Sequence, residues 1–164
     1  MRKKIAIIVG TRPEAIKLLP VYIKFREYSE QFDVTLVSTG QHREMLDQIF
    51  DFFHIRPDIE INVMTEGQTL ASLSAALLQK GEELIRQSGI THVFVQGDTT
   101  TAMVFGLVAF YNKIKVVHVE AGLRTYNNYS PFPEEVNRRI ISQFANMHFC
   151  PTETACNALR KENI

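Results

Sequence analysis

Three carboxylates in this chain occur where acid–base chemistry is commonly placed. Asp98 follows the strand-like run 92–96, Glu120 closes the apolar run 116–119, and Glu134 stands at the predicted start of a helix. Carboxylates held close to one another acquire different proton affinities, so a single site can supply both an acid and a base. The residue types therefore predict proton transfer, provided that the fold brings the three together.

Basic residues accompany these carboxylates. Arg12 and Lys17 belong to the segment 10–17, at a predicted helix start whose dipole and N–H groups suit an anion such as a phosphate. Arg124 and Arg138 lie beside the second and third carboxylates. The segment 10–17 lacks the glycine spacing of a P-loop and of the dinucleotide fingerprint, which argues against a nicotinamide cofactor. The pattern predicts acid–base chemistry on a phosphate-bearing ligand.

Each of these features also has a purely structural interpretation. Asp98 would serve equally well as the N-cap of the helix that follows it, and the basic segment as the exposed start of a capped helix. Glu134 would be favourable simply as a charge at a helix N-terminus, with Arg138 four residues on. Glu135 and Arg139 fall on a neighbouring face, where they form at most a surface ion pair of little energetic value.

The secondary-structure elements that must position these residues alternate regularly along the sequence. Short β-branched runs alternate with helical stretches, which is typical of parallel βαβ units. We predict strands at 4–9, 33–38, 59–63, 92–96, 116–119 and 147–150, and helices at 12–28, 43–53, 70–86, 100–111, 134–145 and 152–161. Pro20 should kink or divide the first helix. The fold class is therefore α/β, a doubly wound, Rossmann-like parallel sheet with helices on both faces.

This architecture predicts where a ligand binds. Ligands of open α/β sheets gather outside the carboxyl ends of the strands, where the candidate residues cluster. His118 and Glu120 share one face of their strand because side chains alternate. Residues 121–133 match neither a helix nor a strand pattern, and a connection of that length at the end of a strand predicts a functional loop.

Composition narrows the class of protein. The chain has 164 residues, 45% hydrophobic and 22% charged, which suits one soluble domain. With 18 basic and 18 acidic residues the net charge is zero, so nothing favours nucleic acid or an anionic membrane surface. No signal peptide or membrane-spanning run is recognisable, and we expect a cytoplasmic protein. Cys150 and Cys156 have neither redox nor zinc spacing, and no metal site is predicted.

Several longer motifs identify a family. They are Gly10-Thr11-Arg12-Pro13-Glu14-Ala15-Ile16-Lys17, Gly40-Gln41-His42-Arg43-Glu44-Met45-Leu46, Gly97-Asp98-Thr99-Thr100-Thr101, His118-Val119-Glu120-Ala121-Gly122-Leu123-Arg124-Thr125 and Pro133-Glu134-Glu135-Val136-Asn137-Arg138. Together, and in this order, they closely resemble the bacterial non-hydrolysing UDP-N-acetylglucosamine 2-epimerases. The resemblance covers nearly the whole chain.

The resemblance implies a GT-B architecture, in which two Rossmann-like domains enclose the active site. Residues 1–164 would form the N-terminal domain, without the C-terminal domain that completes the site. The family interconverts UDP-GlcNAc and UDP-ManNAc without nicotinamide or metal, by removing the C2 proton, eliminating UDP to leave 2-acetamidoglucal, and adding UDP back. It further implies a homodimer at full length and a role in cell-surface polysaccharide synthesis. The isolated domain should be inactive or nearly so.

Residue roles carry over from the matching motifs. Asp98, Glu120, Glu134 and Lys17 match catalytic positions of the family; which carboxylate is the acid and which the base stays open. The predicted substrate-binding residues are Arg12, Arg124, Arg138 and His118. The predicted allosteric residues, which match a segment near the activating UDP-GlcNAc of some members, are Gln41, His42 and Arg43. Glu44 and Gly67 depart from the glutamine and arginine of activated members, which leaves activation open.

Three other functions remain compatible with the sequence. A hydrolysing relative would release UDP and free ManNAc, although the motifs fit the non-hydrolysing branch better. A GT-B glycosyltransferase would share the fold, but would normally hold its donor in the other domain and would not need three carboxylates. A non-catalytic module that binds a sugar nucleotide is the alternative from a different class.

Overall fold

The fold is seen in a computed structural model that describes residues 2–40 and 43–164. Two of the predicted allosteric residues, Gln41 and His42, lie outside the described residues, as does the side chain of Arg43. Across these two ranges no helix is both long and apolar enough to cross a membrane.

A single parallel sheet forms the centre of the molecule, as predicted. Its order is β3-β2-β1-β4-β5-β6, and every neighbouring pair is parallel. The strands are β1 (Lys3–Val9), β2 (Phe32–Ser38), β3 (Ile59–Glu60), β4 (His92–Gln96), β5 (Lys115–Val119) and β6 (Met147–Phe149). The chain moves outward from β1 in one direction and from β4 in the other, so the topological switch point lies between these two strands.

Helices cover both faces, as expected for a doubly wound sheet. They are α1 (Arg12–Glu27), α2 (Arg43–Phe53), α3 (Leu70–Ser88), α4 (Thr100–Tyr111), α5 (Glu134–Phe144) and α6 (Glu153–Lys161). One core packs the sheet against α1 and α2, and a second packs it against α3, α4 and α5. Strands buried on both faces need continuous apolar runs, and the fully buried Ile7 and Val95 show this for β1 and β4.

Two predicted elements differ from the structure. The third strand has two residues instead of five: its register with β2 ends at Glu60, and one further bond runs from Ile61 N to Ser38 O at 2.7 Å. The side chains of Ile61 and Val63 are nevertheless buried. Helix α1 is not divided at Pro20, which lies inside one continuous helix, while a kink at that residue stays a prediction. Pro20 and Ile16 both lie on the exposed side, so the carbonyl four residues earlier, which loses its helical partner, can be hydrated instead of buried.

Candidate active site

The carboxyl edge of β1, β4 and β5 carries the candidate site. These three strands are neighbours in the sheet, and their last residues pair in register, for example Gln96 with Val119. The turns that follow them therefore meet at one place although they are far apart in sequence. The expectation that ligand-binding residues collect outside the carboxyl ends of the strands fits this geometry.

Glu120 takes up the end of β5 in a left-handed backbone conformation, with φ at 65°. Its Oε2 accepts a hydrogen bond from Lys17 Nζ at 2.6 Å and a second, short one from Gln96 Nε2. The side chains of Lys17 and Glu120 remain 44% and 25% exposed, so this ion pair is accessible from solvent. Non-glycine residues with positive φ are concentrated at functional sites, because the strain needs surrounding contacts to hold it.

Asp98 does not cap the helix that follows it. The N-cap of α4 is Thr99, whose hydroxyl accepts from Ala102 N at 3.0 Å. The Asp98 carboxylate instead pairs with Arg138, and its backbone carbonyl accepts from Asn137 Nδ2 at 2.9 Å. The capping interpretation of Asp98 is therefore wrong, and its side chain is held by α5 from across the sheet edge.

The proton affinity of Asp98 reflects several competing influences. Burial raises the pKa of its carboxyl above the ordinary value, Arg138 opposes this, and the nearby charges of Glu134 and Glu120 raise it further. The structure thus brings the three carboxylates within electrostatic range of one another. A carboxyl with a raised pKa is better suited to carry a proton near neutral pH than an ordinary aspartate.

Glu134 contributes a buried oxygen that lacks a partner within the described part of the chain. Its Oε2 is inaccessible to solvent and accepts no hydrogen bond from any residue in the described parts of the chain. Arg138, its predicted i+4 partner, donates to Asp98 instead and forms an ion pair with Glu135 at 3.5 Å. Because an unsatisfied buried acceptor is costly, such a group calls for an explanation, and an arriving ligand hydrogen or a transferred proton supplies one.

The four predicted substrate-binding residues are placed very differently. Arg12 is exposed, and within residues 2–40 and 43–164 it makes no side-chain hydrogen bond or ion pair. Arg124 is only 1% exposed and forms a two-bond ion pair with Glu162, at 2.9 and 2.8 Å, plus a bond to Ser142 at 3.1 Å. Its guanidinium is thus committed to internal contacts instead of the open edge. Ligand contact by Arg12 stays a prediction.

His118 is fully buried and lies behind the site. Its Nε2 is 2.7 Å from the carbonyl oxygen of Gly97, the residue before Asp98. Burial lowers the pKa of the ring from 6.5 to about 4, so the neutral ring donates from Nε2 to that carbonyl. The predicted role in binding substrate is not supported by this position, because the ring has no exposed surface. Its visible effect is to hold the turn that carries Asp98.

This burial predicts a pH-dependent contribution to folding. In the unfolded chain His118 takes up a proton near pH 6.5, but in the folded chain only near pH 4. Between these values the unfolded state binds more protons, so the free energy of unfolding falls as the pH drops, by up to about 3 kcal/mol. The variant His118→Gln keeps a donor for Gly97 and cannot titrate. Urea unfolding from pH 7 to pH 4 should show a shallower loss for this variant, and an identical loss would contradict the prediction.

Two further carboxylates were not recognised as important from the sequence. Glu14 is 1% exposed, and its Oε2 accepts from Gly10 N at 2.8 Å and from Thr11 N at 2.6 Å. Its Oε1 accepts from the Thr99 hydroxyl at 2.6 Å, which ties the turn after β1 to the turn after β4. Glu14 therefore already accepts from two backbone N–H groups of the segment expected to bind a phosphate, those of Gly10 and Thr11. A glutamate at the third helical position after Thr11 is the capping-box signal that could have revealed this.

Glu135 is the second carboxylate whose importance was not recognised, and its predicted surface ion pair with Arg139 is wrong. Instead of a surface ion pair with Arg139, it is completely buried and accepts from the backbone N–H groups of Thr125 and Tyr126, at 3.0 and 3.1 Å. Arg139 donates instead to Asn128 at 3.2 Å. Both residues thus fasten the loop between β5 and α5, and no local spacing rule could have indicated it.

Comparison with known proteins connects this geometry to a family. A profile described as UDP-N-acetylglucosamine 2-epimerase matches residues 25–164. The sequence is 49% identical over 160 residues to the UDP-N-acetylglucosamine 2-epimerase of Bacillus subtilis, covering 98% of this chain and 42% of that protein. It is also 49% identical over 162 residues to that of Campylobacter jejuni, covering 99% and 42%. The chain thus spans less than half the length of these curated relatives.

Solved structures give the same result. The UDP-GlcNAc 2-epimerase of Neisseria meningitidis, determined with UDP-GlcNAc bound, superposes with a TM-score of 0.94 at 43% identity, covering 98% of this chain and 43% of that one. MurG of Acinetobacter baumannii superposes with a TM-score of 0.60 at 15% identity, covering 90% and 40%. At that identity the second likeness concerns the fold alone.

Proposed function

The chain belongs to the UDP-N-acetylglucosamine 2-epimerase family, and we propose that it supplies the acid–base groups of an enzyme that interconverts UDP-GlcNAc and UDP-ManNAc at C2. The observation that carries this proposal is the meeting of Asp98, Glu120 and Glu134 at one edge of the sheet, each held by a different element. Several carboxylates of unequal environment are what proton removal and proton return at one carbon require.

The proposed reaction needs no redox step. One carboxylate takes the proton from C2 while the C1–O bond to UDP breaks, so that the electron pair of the C2–H bond forms the C1=C2 bond of 2-acetamidoglucal. In the return step a proton is added to the opposite face of C2 and UDP adds back at C1. Glu120 is paired with the Lys17 ammonium at 2.6 Å, whereas burial raises the pKa of Asp98, so the two carboxylates stand in unequal environments, and which of them removes the C2 proton stays open.

The complete site is proposed to need a second domain. The relatives are more than twice as long as this chain, which covers 42% of the first of them. A UDP-sugar held at one end only does not have its C2 hydrogen fixed against a carboxylate, and much of catalysis comes from that fixation. We therefore expect residues 1–164 alone to turn over little or no substrate. We expect the full-length enzyme to be a cytoplasmic homodimer, with a product used in cell-surface polysaccharides.

The test is epimerisation by the full-length protein in deuterated water. UDP-GlcNAc should yield UDP-ManNAc with deuterium at C2, which NMR detects at that carbon. UDP and free ManNAc as the final products would indicate the hydrolysing activity instead. Neither exchange nor product from a folded full-length protein would exclude the epimerase and leave binding of a sugar nucleotide as the function.

A further inference from the structure

Glu135 is a buried charge that the proposed reaction does not use. Its side chain has no exposed surface, and its two oxygens accept from the N–H groups of Thr125 and Tyr126. Placing a carboxylate in the interior is costly unless hydrogen bonds and an opposite charge compensate it. The two backbone bonds supply part of that compensation, and they attach the loop after Glu120 to the first turn of α5.

The opposite charge comes from Arg138, which also faces the proposed site. Its Nη1 lies 3.5 Å from Glu135 Oε2, and its Nη2 donates to Asp98 Oδ2. A guanidinium is planar and presents its donors in a fixed fork, so both carboxylates act on one rigid group. The side chain of Arg138 is only 10% exposed, which leaves it little room to turn away. One buried cation is therefore shared between a candidate catalytic carboxylate and a carboxylate behind it.

We propose that Glu135 is a positioning residue that divides the charge of Arg138 between itself and Asp98, and thereby sets how readily Asp98 takes up and gives back a proton. The importance of this for catalysis rests on the function proposed above. The electrostatic coupling itself does not, because it is a property of the folded chain. Glu135 touches no reacting atom and acts through Arg138 alone.

The sign of the coupling follows from the groups around Asp98. Burial raises the pKa of Asp98, and Arg138 is the positive charge that opposes it. If Glu135 becomes neutral, the buried guanidinium keeps Asp98 as its close anionic partner, so the ionised form of Asp98 is favoured more strongly. The charged or titratable groups that face Asp98 are Arg138 and Glu134 of α5, Glu120 at the end of β5 with Lys17 of α1 beyond it, and the neutral His118 of β5.

The decisive experiment is a titration of the Asp98 carboxyl carbon by NMR in the 164-residue chain. The variant Glu135→Gln should lower the titration midpoint of Asp98 by roughly one pH unit, the size of a charge removed at short range in a partly shielded site. The matched control is Glu30→Gln, an exposed glutamate before β2 at the opposite edge of the sheet, which should leave the midpoint unchanged. An unchanged or raised midpoint in Glu135→Gln would overturn the proposal.

A second pair of measurements keeps the test valid if that variant does not fold. In the unaltered chain, the Arg138 guanidinium faces Asp98 with Nη2 and Glu135 with Nη1, so it should rotate slowly and give separate Nη1 and Nη2 hydrogen signals. A single averaged signal would contradict the sharing of Arg138 between the two carboxylates. The variant Glu135→Asp keeps the charge and should keep the Asp98 midpoint close to that of the unaltered chain. A drop as large as that expected for Glu135→Gln would mean that packing, and not charge, is responsible.

The full-length enzyme provides a catalytic readout. In Glu135→Gln, the limb of the pH profile of kcat/KM that belongs to Asp98 should move to lower pH, whether Asp98 acts as acid or as base. A profile that is lower but not moved along the pH axis, as simple loss of folded enzyme would produce, would contradict the proposal. Because the NMR titration needs no turnover, an inactive full-length protein would remove the proposed function and leave the coupling measurable.

Discussion

Asp98→Asn in the full-length enzyme is expected to lower kcat for UDP-GlcNAc epimerisation by about 10²- to 10⁴-fold, the usual contribution of a positioned acid or base. An asparagine oxygen can still accept from Arg138, and the bond from Asn137 Nδ2 to the backbone carbonyl of residue 98 is untouched, so the fold should be preserved. Since the amide cannot exchange a proton with C2, the loss should appear in kcat with little change in KM. Initial rates with NMR detection of UDP-ManNAc measure both.

Controls separate this effect from general damage. Asp33→Asn, at the amino-terminal end of β2 and far from the candidate site, should leave kcat unchanged. Glu120→Gln should cause a loss of similar size, and it also removes the anionic partner of Lys17. A folded Asp98→Asn enzyme with normal kcat would mean that Asp98 does not transfer the proton. If deuterium still enters C2 of UDP-GlcNAc although no UDP-ManNAc forms, the altered residue acts in the return step.

Gly122→Ala is expected to lower the free energy of unfolding by about 3–5 kcal/mol, as the sum of backbone strain and overpacking. Gly122 has φ at 87°, and an added Cβ would lie 2.2 Å from the carbonyl oxygen of Ala155 and 2.7 Å from its carbon. These are backbone atoms of α6, so no rotation of a side chain relieves the collision. Urea unfolding of the chain measures the loss, which is large against the stability of an ordinary domain.

The same substitution at another glycine isolates the contact. Gly67 has φ at 69°, and nothing lies within 4 Å of an added Cβ, so Gly67→Ala carries the conformational cost without the collision. That cost is about 1–2 kcal/mol. Equal losses in the two variants would show that α6 does not pack closely against Gly122. A larger loss at Gly122 would show that α6 fixes the loop beginning just after Glu120.

The sequence alone determined the architecture and the sheet edge that carries the candidate site. Continuous apolar runs alternating with helical patterns specify parallel strands, and the carboxyl ends of parallel strands necessarily share one edge. The positions of Asp98 and Glu120 after β4 and β5 were therefore predictable to the residue. The fold class is confirmed, and the boundaries of most elements agree with the predictions to within two residues.

Some local predictions failed because tertiary contacts override local patterns. Asp98 has the residue type and position of an N-cap, but Thr99 caps α4. The Asp98 carboxylate instead accepts a hydrogen bond from Arg138, 40 residues away. The short β3 and the uninterrupted α1 have similar causes. Burial of Val63 does not require strand pairing, and a proline on an exposed helix face leaves a carbonyl that water can reach.

Only the tertiary structure decided which charges face the site and which support it. Arg124 follows Glu120 closely in sequence, yet it turns inward to Glu162, 38 residues further on. Glu135 adjoins Glu134, yet Glu135 is buried beneath the loop, while Glu134 keeps an oxygen near Asp98 that has no partner among residues 2–40 and 43–164. Spacing along the chain fixes the face on which a side chain starts. Whether that face meets solvent, a loop or a distant charge depends on packing between elements far apart in sequence, because the cost of burying a charge is offset only by partners that the folded chain brings together.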